Sequence, residues 1–407
     1  MLPIPDFVNT NACRRKILDT GAPALHPPAG HDGFGMRFIH TADWQIGKVF
    51  RRFGEREALF RQARLDAIDA LGALATREEA AHVLVAGDVY EMETPLPATR
   101  RAPLERMRRF PHVTWHLLPG NHDPHRPNGL WDQIAADDPP VNIRLHLSPE
   151  PVAISDGVWI LPAPLTRKSA VDDLTAWMDE APTPPGAVRI GLAHGSVQGF
   201  DSAGEAANLI DPQRPERAGL AYLALGDWHR TLKITPRVHY AGTPEPDRFD
   251  SQIAGKALVV SLRGGAEPEV REEIVGRYRW QRLQTDLQAD EAVADEAARW
   301  RAIEALPQAV LRLDLTGTLS LAARQELETT LERLEAACAH LEYDLAGLHL
   351  RPSRADIEAI DFDGALRQVA EELGRRIDDA SANPQARAVA EAALTRLYTL
   401  VTTGERA

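Results

Sequence analysis

His82–Glu91, HVLVAGDVYE, opens as an apolar run and breaks at Gly87, which hands Asp88 to the end of the run. A short apolar stretch of this kind reads as a buried strand. In α/β folds, ligands gather in the crevice outside the C-terminal ends of the strands. Four more blocks repeat the design: Met36–Gly47 (MRFIHTADWQIG), Val113–Asp123 (VTWHLLPGNHD), Arg189–Val197 (RIGLAHGSV) and Leu220–Arg230 (LAYLALGDWHR). Each runs from an apolar strand into Asp, Asn, His or Gly. Asp88 is the candidate to hold two metal ions together, with the other blocks completing their ligands.

Between these blocks the pattern alternates. Glu55–Ala75 and Thr99–Phe110 read as helices, Val141–Pro164 as further strands, Ala170–Trp177 as a short helix, and Ala257–Leu262 as a closing strand. After about Pro268 the periodicity changes. Strand-like Arg277–Leu287, a helix near Glu291–Ile303, strand Ala309–Leu315, helix Leu321–Ala339 and strand Tyr343–Leu350 suggest a small α/β unit. Helices over Phe362–Ile377 and Arg387–Val401 follow. The expected organisation is a disordered extension (1–35, rich in Pro and Gly), a catalytic domain (36–268), a smaller α/β unit (269–352) and a C-terminal helical region (353–407).

The chain has 407 residues and a formal charge of −13, and from Lys256 onward acidic residues outnumber basic ones 27 to 19. That balance argues against a protein that coats nucleic acid non-specifically. It leaves room for a local basic path nearer the N-terminus, where Lys48, Arg51, Arg52, Arg56, Arg61 and Arg64 cluster and Thr99–Phe110 carries five arginines. For both groups a solvated face competes with a phosphate contact. No apolar run reaches the ~20 residues of a membrane helix, and the N-terminus lacks a signal-peptide pattern, so a cytoplasmic protein is expected. The two cysteines, Cys13 and Cys338, show no metal spacing, leaving N and O ligands for any metal.

Phosphate-ester hydrolysis needs a strong nucleophile at neutral pH and charge stabilisation on the phosphoryl oxygens. Two metals ~3.5–4 Å apart around a shared carboxylate supply both. Taken singly, a strand-ending Asp, an Asn-initiated turn or a lone His is an ordinary structural residue. Taken in succession, D-x-Q, GD, GNHD, AHG and GD-x-H are not.

The blocks HTADWQIG, GDVYE, PGNHD, AHGS, GDWH and YAGTPEPDRF resemble those of the calcineurin-type metallophosphoesterases, most of all the nuclease subunits of the SbcCD type. The resemblance covers Met36–Leu262 closely. It implies a four-layer α/β sandwich, two mixed β-sheets flanked by helices, with a smaller α/β capping domain and C-terminal helices. By position, Asp43, Gln45 and His229 would bind the first metal, Asp88 would bridge, and Asn121, His194 and Asp227 would bind the second. His122 would steady the scissile phosphate or protonate the leaving oxygen, with Asp123 orienting its imidazole. Two positions depart from the family: Gln45 stands where His is usual, and Asp227 where the first His of GHxH is usual. Two hard oxygens replace two nitrogens, which favours Mn²⁺, with Mg²⁺ as the alternative, over Zn²⁺.

His40 reads as a buried residue behind the metals, Tyr90 and Glu91 as supports, and His125 as either a phosphate contact or a loop residue. The leading function is a metal-dependent DNA nuclease in repair; the resemblance implies a coiled-coil, SMC-like ATPase partner and a homodimer, and the C-terminal helices read either as a docking surface for that partner or as packing on the capping domain. A small-molecule phosphodiesterase or phosphatase and a catalytically silent scaffold are the alternatives.

Overall fold

The computed structural model describes residues 35–199, 207–249, 253–350, 364–379, 381 and 383–403. The expectation for residues 1–35 therefore lies, apart from Gly35, outside the described residues, as does Cys13.

The first sheet is built on β1 (Gly35–Thr41), β2 (His82–Val85), β3 (Thr114–Leu117) and β4 (Ile143–Leu145), which pair in parallel and in that order. β5 (Val152–Ser155) and β6 (Val158–Ala163) pass to a second sheet. There β6 pairs in parallel with β7 (Val188–His194), and β7 with β10 (Leu220–Gly226). Two short strands, β8 (Ser196–Val197) and β9 (Leu209–Ile210), pair with each other beside it. β11 (Leu232–Thr235) and β12 (Val238–Tyr240) complete the second sheet in the order β11-β12-β10-β7-β6-β5. β13 (Ala254–Arg263) returns to the first sheet, antiparallel to β1.

The apolar runs are continuous because both faces of each sheet are covered. From β1 and β2, Phe38 and Leu84 face Ile190, Leu192, Tyr222 and Ala224 between the sheets, whereas Ile39, Val83 and Val85 face helices. Those helices are α1 (Glu57–Arg77), α2 (Pro97–Arg108) and α3 (Leu130–Ala136). Phe60, Ala63, Ala67, Ile68, Leu71, Leu74 and Ala75 give α1 its buried stripe at helical spacing. On the far side of the second sheet, Leu223 and Leu225 pack against Met178 and Ala218, the latter at the end of the short α4 (Arg214–Arg217). Helices, sheet, sheet and helical turns make the four layers.

The helix expected over Ala170–Trp177 is not formed. Asp173 Oδ1 accepts from both the amide and the hydroxyl of Thr175, a local turn that competes with helix, and only a 3₁₀ turn over Ala176–Glu180 follows.

Beyond residue 268, β14 (Glu269–Leu287) is one strand of 19 residues. Its first part pairs antiparallel with β13, and its last part, from Arg279, pairs in parallel with β15 (Ala309–Leu319). β16 (His340–Leu350) lies outside β15, giving an eight-stranded sheet, β16-β15-β14-β13-β1-β2-β3-β4. The strands and helices expected here form, but their sheet continues the first sheet rather than standing apart from it. α5 (Ala292–Arg301) and α6 (Leu321–Ala337) cover it through Trp300, Leu327, Leu331 and Leu334. Its seam with the first sheet is aromatic, formed by Phe50, Phe53, Phe60, Tyr278 and Trp280. Burial of each large side chain here contributes about 1.5–3 kcal/mol. α7 (Ala365–Asp378) and α8 (Pro384–Thr403) share a small core with Leu321 and Leu350.

Candidate metal centre

Four of the expected ligands sit at residues with left-handed backbone: Asp43 (φ 56°), Gln45 (φ 46°), Asp88 (φ 54°) and Asp227 (φ 101°). Non-glycine residues enter this region at a cost of about 1–3 kcal/mol each, and such strain gathers at functional sites. It is held here by cross-loop bonds. The Asp43 amide donates to Gly87 O (3.1 Å), the Gln45 amide to Asp88 O (2.9 Å) and the Asp227 amide to both Asp43 carboxylate oxygens (3.2 Å each). Gly87 itself has φ 91°, and a Cβ there would lie 2.2 Å from His194 Nδ1. A Cβ on Gly120 would lie 2.2 Å from Asp88 Oδ1. Both positions need glycine because side chains of the centre pass directly over them.

Ligand atoms of Asp43, Asp88 and His194 all lie within 4.8 Å of one another. His194 Nδ1 is fixed on Ala86 O at 2.8 Å, so Nε2 faces inward, 3.5 Å from Asp88 Oδ1 and 3.7 Å from Asp227 Oδ1. Among the described residues, this buried Nε2 has no hydrogen-bond partner, and neither has Asn121 Oδ1. Two buried, unclaimed lone-pair donors beside convergent carboxylates suit a divalent cation. Burial alone would push His194 down, but Asp88, Asp43 and Asp227 outweigh it and hold the imidazole at about 9. Burial pushes Asp43 up to about 6, against the pull of His229 and His194 and with Asp88 and Asp227 adding to the rise. Groups crowded with like charge and short of solvent invite a metal to replace their protons. Asn121 Nδ2 donates to Asp227 Oδ1 (3.0 Å) and Ser196 Oγ to Asp227 Oδ2 (3.0 Å), which aims that carboxylate at the same place.

The Gln45 and His229 end differs. Lys48 Nζ donates to Gln45 Oε1 (2.9 Å) and forms an ion pair with Asp247 Oδ2 (2.7 Å). Gln45 Nε2 lies 3.4 Å from His229 Nε2, while His229 Nδ1 faces Asp247 Oδ1 at 3.6 Å. Burial would lower His229, but Asp247 and Asp43 raise it. Asp247, a buried carboxylate in the PEPDRF turn, joins the candidate centre through Lys48, Arg64 and His229, and the sequence pattern does not single it out. Its signal is that this turn follows a strand ending beside the other ligand loops.

His122 stands at the rim, its side chain 40% exposed and its Nε2 3.9 Å from Asp88 Oδ2. Its amide donates to Asp88 Oδ1 (2.9 Å). The expected pairing with Asp123 is replaced: His122 Nδ1 meets the Glu91 carbonyl at 3.0 Å. Asp123 is fully buried and accepts from the amides of Tyr90 (2.9 Å) and Gly120 (2.7 Å), pinning the GNHD loop to the GDVYE loop. Burial, with Asp88 nearby, pushes its carboxyl up to about 8. Neighbours in sequence here point in different directions.

His40 is buried against Tyr222 OH and Leu225 O, as expected for a residue behind the centre. His116 joins a row, His82–His116–His146, with 3.0 Å links, half-buried at His82 and buried at the other two. His125 is engaged by Asp132 (2.9 Å) and Leu147 O (3.2 Å), a partly buried loop position rather than an open one. The basic cluster is largely spent within the protein. Arg52 lies over Phe53 and Trp280 and pairs with Glu342, Arg56 donates to Ala339 O, and Arg64 is buried on Trp44 O. On α2, Arg100, Arg106 and Arg109 pair with aspartates on neighbouring elements and Arg108 with Glu105 of its own helix.

Comparison with known proteins agrees with this geometry. Residues 36–229 match the family of calcineurin-like phosphoesterases. The SbcD subunit of the SbcCD nuclease from Rhodobacter capsulatus is 26% identical over 282 residues, which cover 57% of this chain and 68% of that protein. One solved crystal structure superposes on 60% of this chain and 100% of its own with a TM-score of 0.37 and 9% identity, a likeness too slight to carry weight. Ligand loops at the ends of parallel strands in two stacked sheets, the family match and the similarity to an SbcD subunit together identify residues 36–229 as a calcineurin-like phosphoesterase domain and support a phosphodiester hydrolase of SbcD type.

Proposed function

We propose that the chain is a DNA nuclease of repair, cutting phosphodiester bonds with a divalent ion held by Asp43, Asp88, Asn121, His194 and Asp227. The observation that carries the reading is the convergence of Asp43, Asp88 and His194 with the unclaimed His194 Nε2. Oxygen-rich ligands favour Mn²⁺, then Mg²⁺. Gln45 and His229 form the weaker half of a two-ion set. A bound ion supplies positive charge to the phosphoryl oxygens and to the attacking water. His122, anchored through Nδ1 on the Glu91 carbonyl, presents Nε2 to the leaving oxygen. Asp123 and Glu91 are positioning residues.

DNA as substrate is supported by the similarity to a component of an SbcCD nuclease. The same similarity supports a complex with the other subunit of an SbcCD-type nuclease, an ATPase; a cytoplasmic setting and a homodimeric arrangement complete the proposal. α7 and α8 offer exposed Leu366, Val369 and Val389 for the ATPase. No helix among the described residues is long and apolar enough to cross a membrane. We assign residues 269–352 to a cap that walls the DNA and 364–403 to partner docking.

The test is Mn²⁺ loading followed by assays on linear duplex DNA, single-stranded DNA and small phosphodiesters. DNA cleavage lost in both Asp88→Asn and His122→Ala is the expected result. Activity confined to small esters would favour a small-molecule phosphodiesterase, and absence of metal uptake a silent scaffold.

A further inference from the structure

We infer that Lys48 holds the first metal position, so that the chain binds one divalent ion tightly and the Lys48 ammonium supplies the second positive charge of the centre. This rests on the metal-dependent reading above and narrows it. The Gln45 and His229 end has two oxygens suited to a hard cation, Gln45 Oε1 and Asp247 Oδ2, and Lys48 Nζ is bonded to both, at 2.9 and 2.7 Å. Glu91 Oε2 lies 3.7 Å from the same ammonium. With its oxygen committed, Gln45 turns its amide nitrogen toward His229 Nε2 at 3.4 Å, setting N–H groups where a metal would need a lone pair. At this end the buried atoms without a hydrogen bond face a charged partner, His229 Nδ1 opposite Asp247 Oδ1 at 3.6 Å and Glu91 Oε2 opposite Lys48 at 3.7 Å, whereas in the other half the unclaimed atoms among the described residues are the expected ligand atoms themselves, His194 Nε2 and Asn121 Oδ1.

The substitution that makes position 45 a weaker ligand thus coincides with a cation built into the chain three residues later. An ammonium needs no loading and delivers one charge rather than two. Lys48 is also 24% exposed in its side chain, open enough for a non-bridging phosphate oxygen of the substrate to reach it. The loop that carries it is fixed, since the Lys48 amide bonds Gln45 O (3.1 Å) and Arg64 pairs with the same Asp247.

The experiment is metal stoichiometry, read by equilibrium dialysis and elemental analysis on the chelator-stripped full chain titrated with Mn²⁺, with circular dichroism as a check of folding. Wild type and Lys48→Arg are expected to retain about one tight equivalent. Lys48→Met is expected to bind a second equivalent at least tenfold more tightly than wild type does. Two equivalents of comparable affinity in wild type would overturn the inference, as would an unchanged second binding step in folded Lys48→Met. One tight equivalent without DNA cleavage would overturn the proposed function while upholding this inference, and no uptake at all would overturn both.

Discussion

Asp247→Asn is expected to destabilise the fold by about 3 kcal/mol. Asp247 is 7% exposed, and its carboxylate serves three cationic neighbours: Lys48 at 2.7 Å, Arg64 at 3.6 Å and His229 at 3.6 Å. Of these, Arg64 is the most deeply buried, 2% exposed, with Nε and Nη2 lacking hydrogen-bond partners among the described residues. Removing one partner of a buried ion pair costs roughly 3–5 kcal/mol, because the remaining charge is left uncompensated. The lower end applies, since Arg64 keeps its bond to Trp44 O (2.7 Å) and lies over the Phe50 ring at 5.3 Å. The loss is read by urea denaturation of Asp247→Asn, Arg64→Met and the double variant. If the isolated guanidinium is the cause, the double variant recovers about 1–3 kcal/mol relative to additivity. Burial would raise Asp247, but His229, Arg64 and Lys48 outweigh it and hold its carboxyl far below the usual range. A depressed carboxylate stabilises above its unfolded pKa of about 3.9 and loses that contribution as pH falls below it. The gap between wild type and Asp247→Asn is therefore full at pH 7 and narrows below about pH 4. Additivity within about 0.5 kcal/mol, or a loss under about 1 kcal/mol at pH 7, would refute the account.

Gly87→Ala combines a positive φ of 91° with a Cβ 2.2 Å from His194 Nδ1, and is expected to cost about 2–5 kcal/mol and to weaken Mn²⁺ uptake, both measurable by denaturation and dialysis. In the metal-free protein His194 is held at about 9 and is protonated at neutral pH. Mn²⁺ binding at pH 7–8 is thus expected to release about one proton and to tighten as pH rises toward 9, which calorimetry in buffers of different ionisation enthalpy will show. Gln45→His in a Lys48→Met background is expected to shift preference from Mn²⁺ toward Zn²⁺, with competition dialysis as the check. Glu245, buried and pushed up to about 7 by that burial, accepts from the amides of Arg277 (2.7 Å) and Tyr278 (3.0 Å). Glu245→Ala is expected to cost about 1–3 kcal/mol by orphaning both donors, again read in urea.

Much of the centre is legible in the sequence because its ligands end apolar runs. The runs at β2, β7 and β10 stop at Gly or His, and the pleat of a doubly covered strand leaves few other readings for HVLVAGD or LAYLALGD. The part that is not legible depends on loop direction and on distant side chains. Nothing in GNHD says that Asp123 turns inward to two amides while His122 turns outward to Glu91 O. Asp247 gains its role from Lys48 and Arg64, far earlier in the chain, which no local pattern encodes. The strand from Arg277 shows in the sequence but its beginning at Glu269 does not, because EVREEIVGR has mixed exposure on a sheet only partly covered there. The arginines over 100–109 leave a phosphate contact and a solvated face equally open in the sequence, because the aspartates that engage Arg100, Arg106 and Arg109 lie on other elements.

β14 has a consequence for motion. At about 3.3 Å per residue its 19 residues reach roughly 60 Å, and hydrogen bonds to β13 at one end and β15 at the other make it a beam common to the metal loops' sheet and the cap. Between the two ladders the β13 pairing shifts register and the Arg277 and Tyr278 amides are held by Glu245 instead, so any bending of one part of the sheet against the other would have to pass through this single braced stretch.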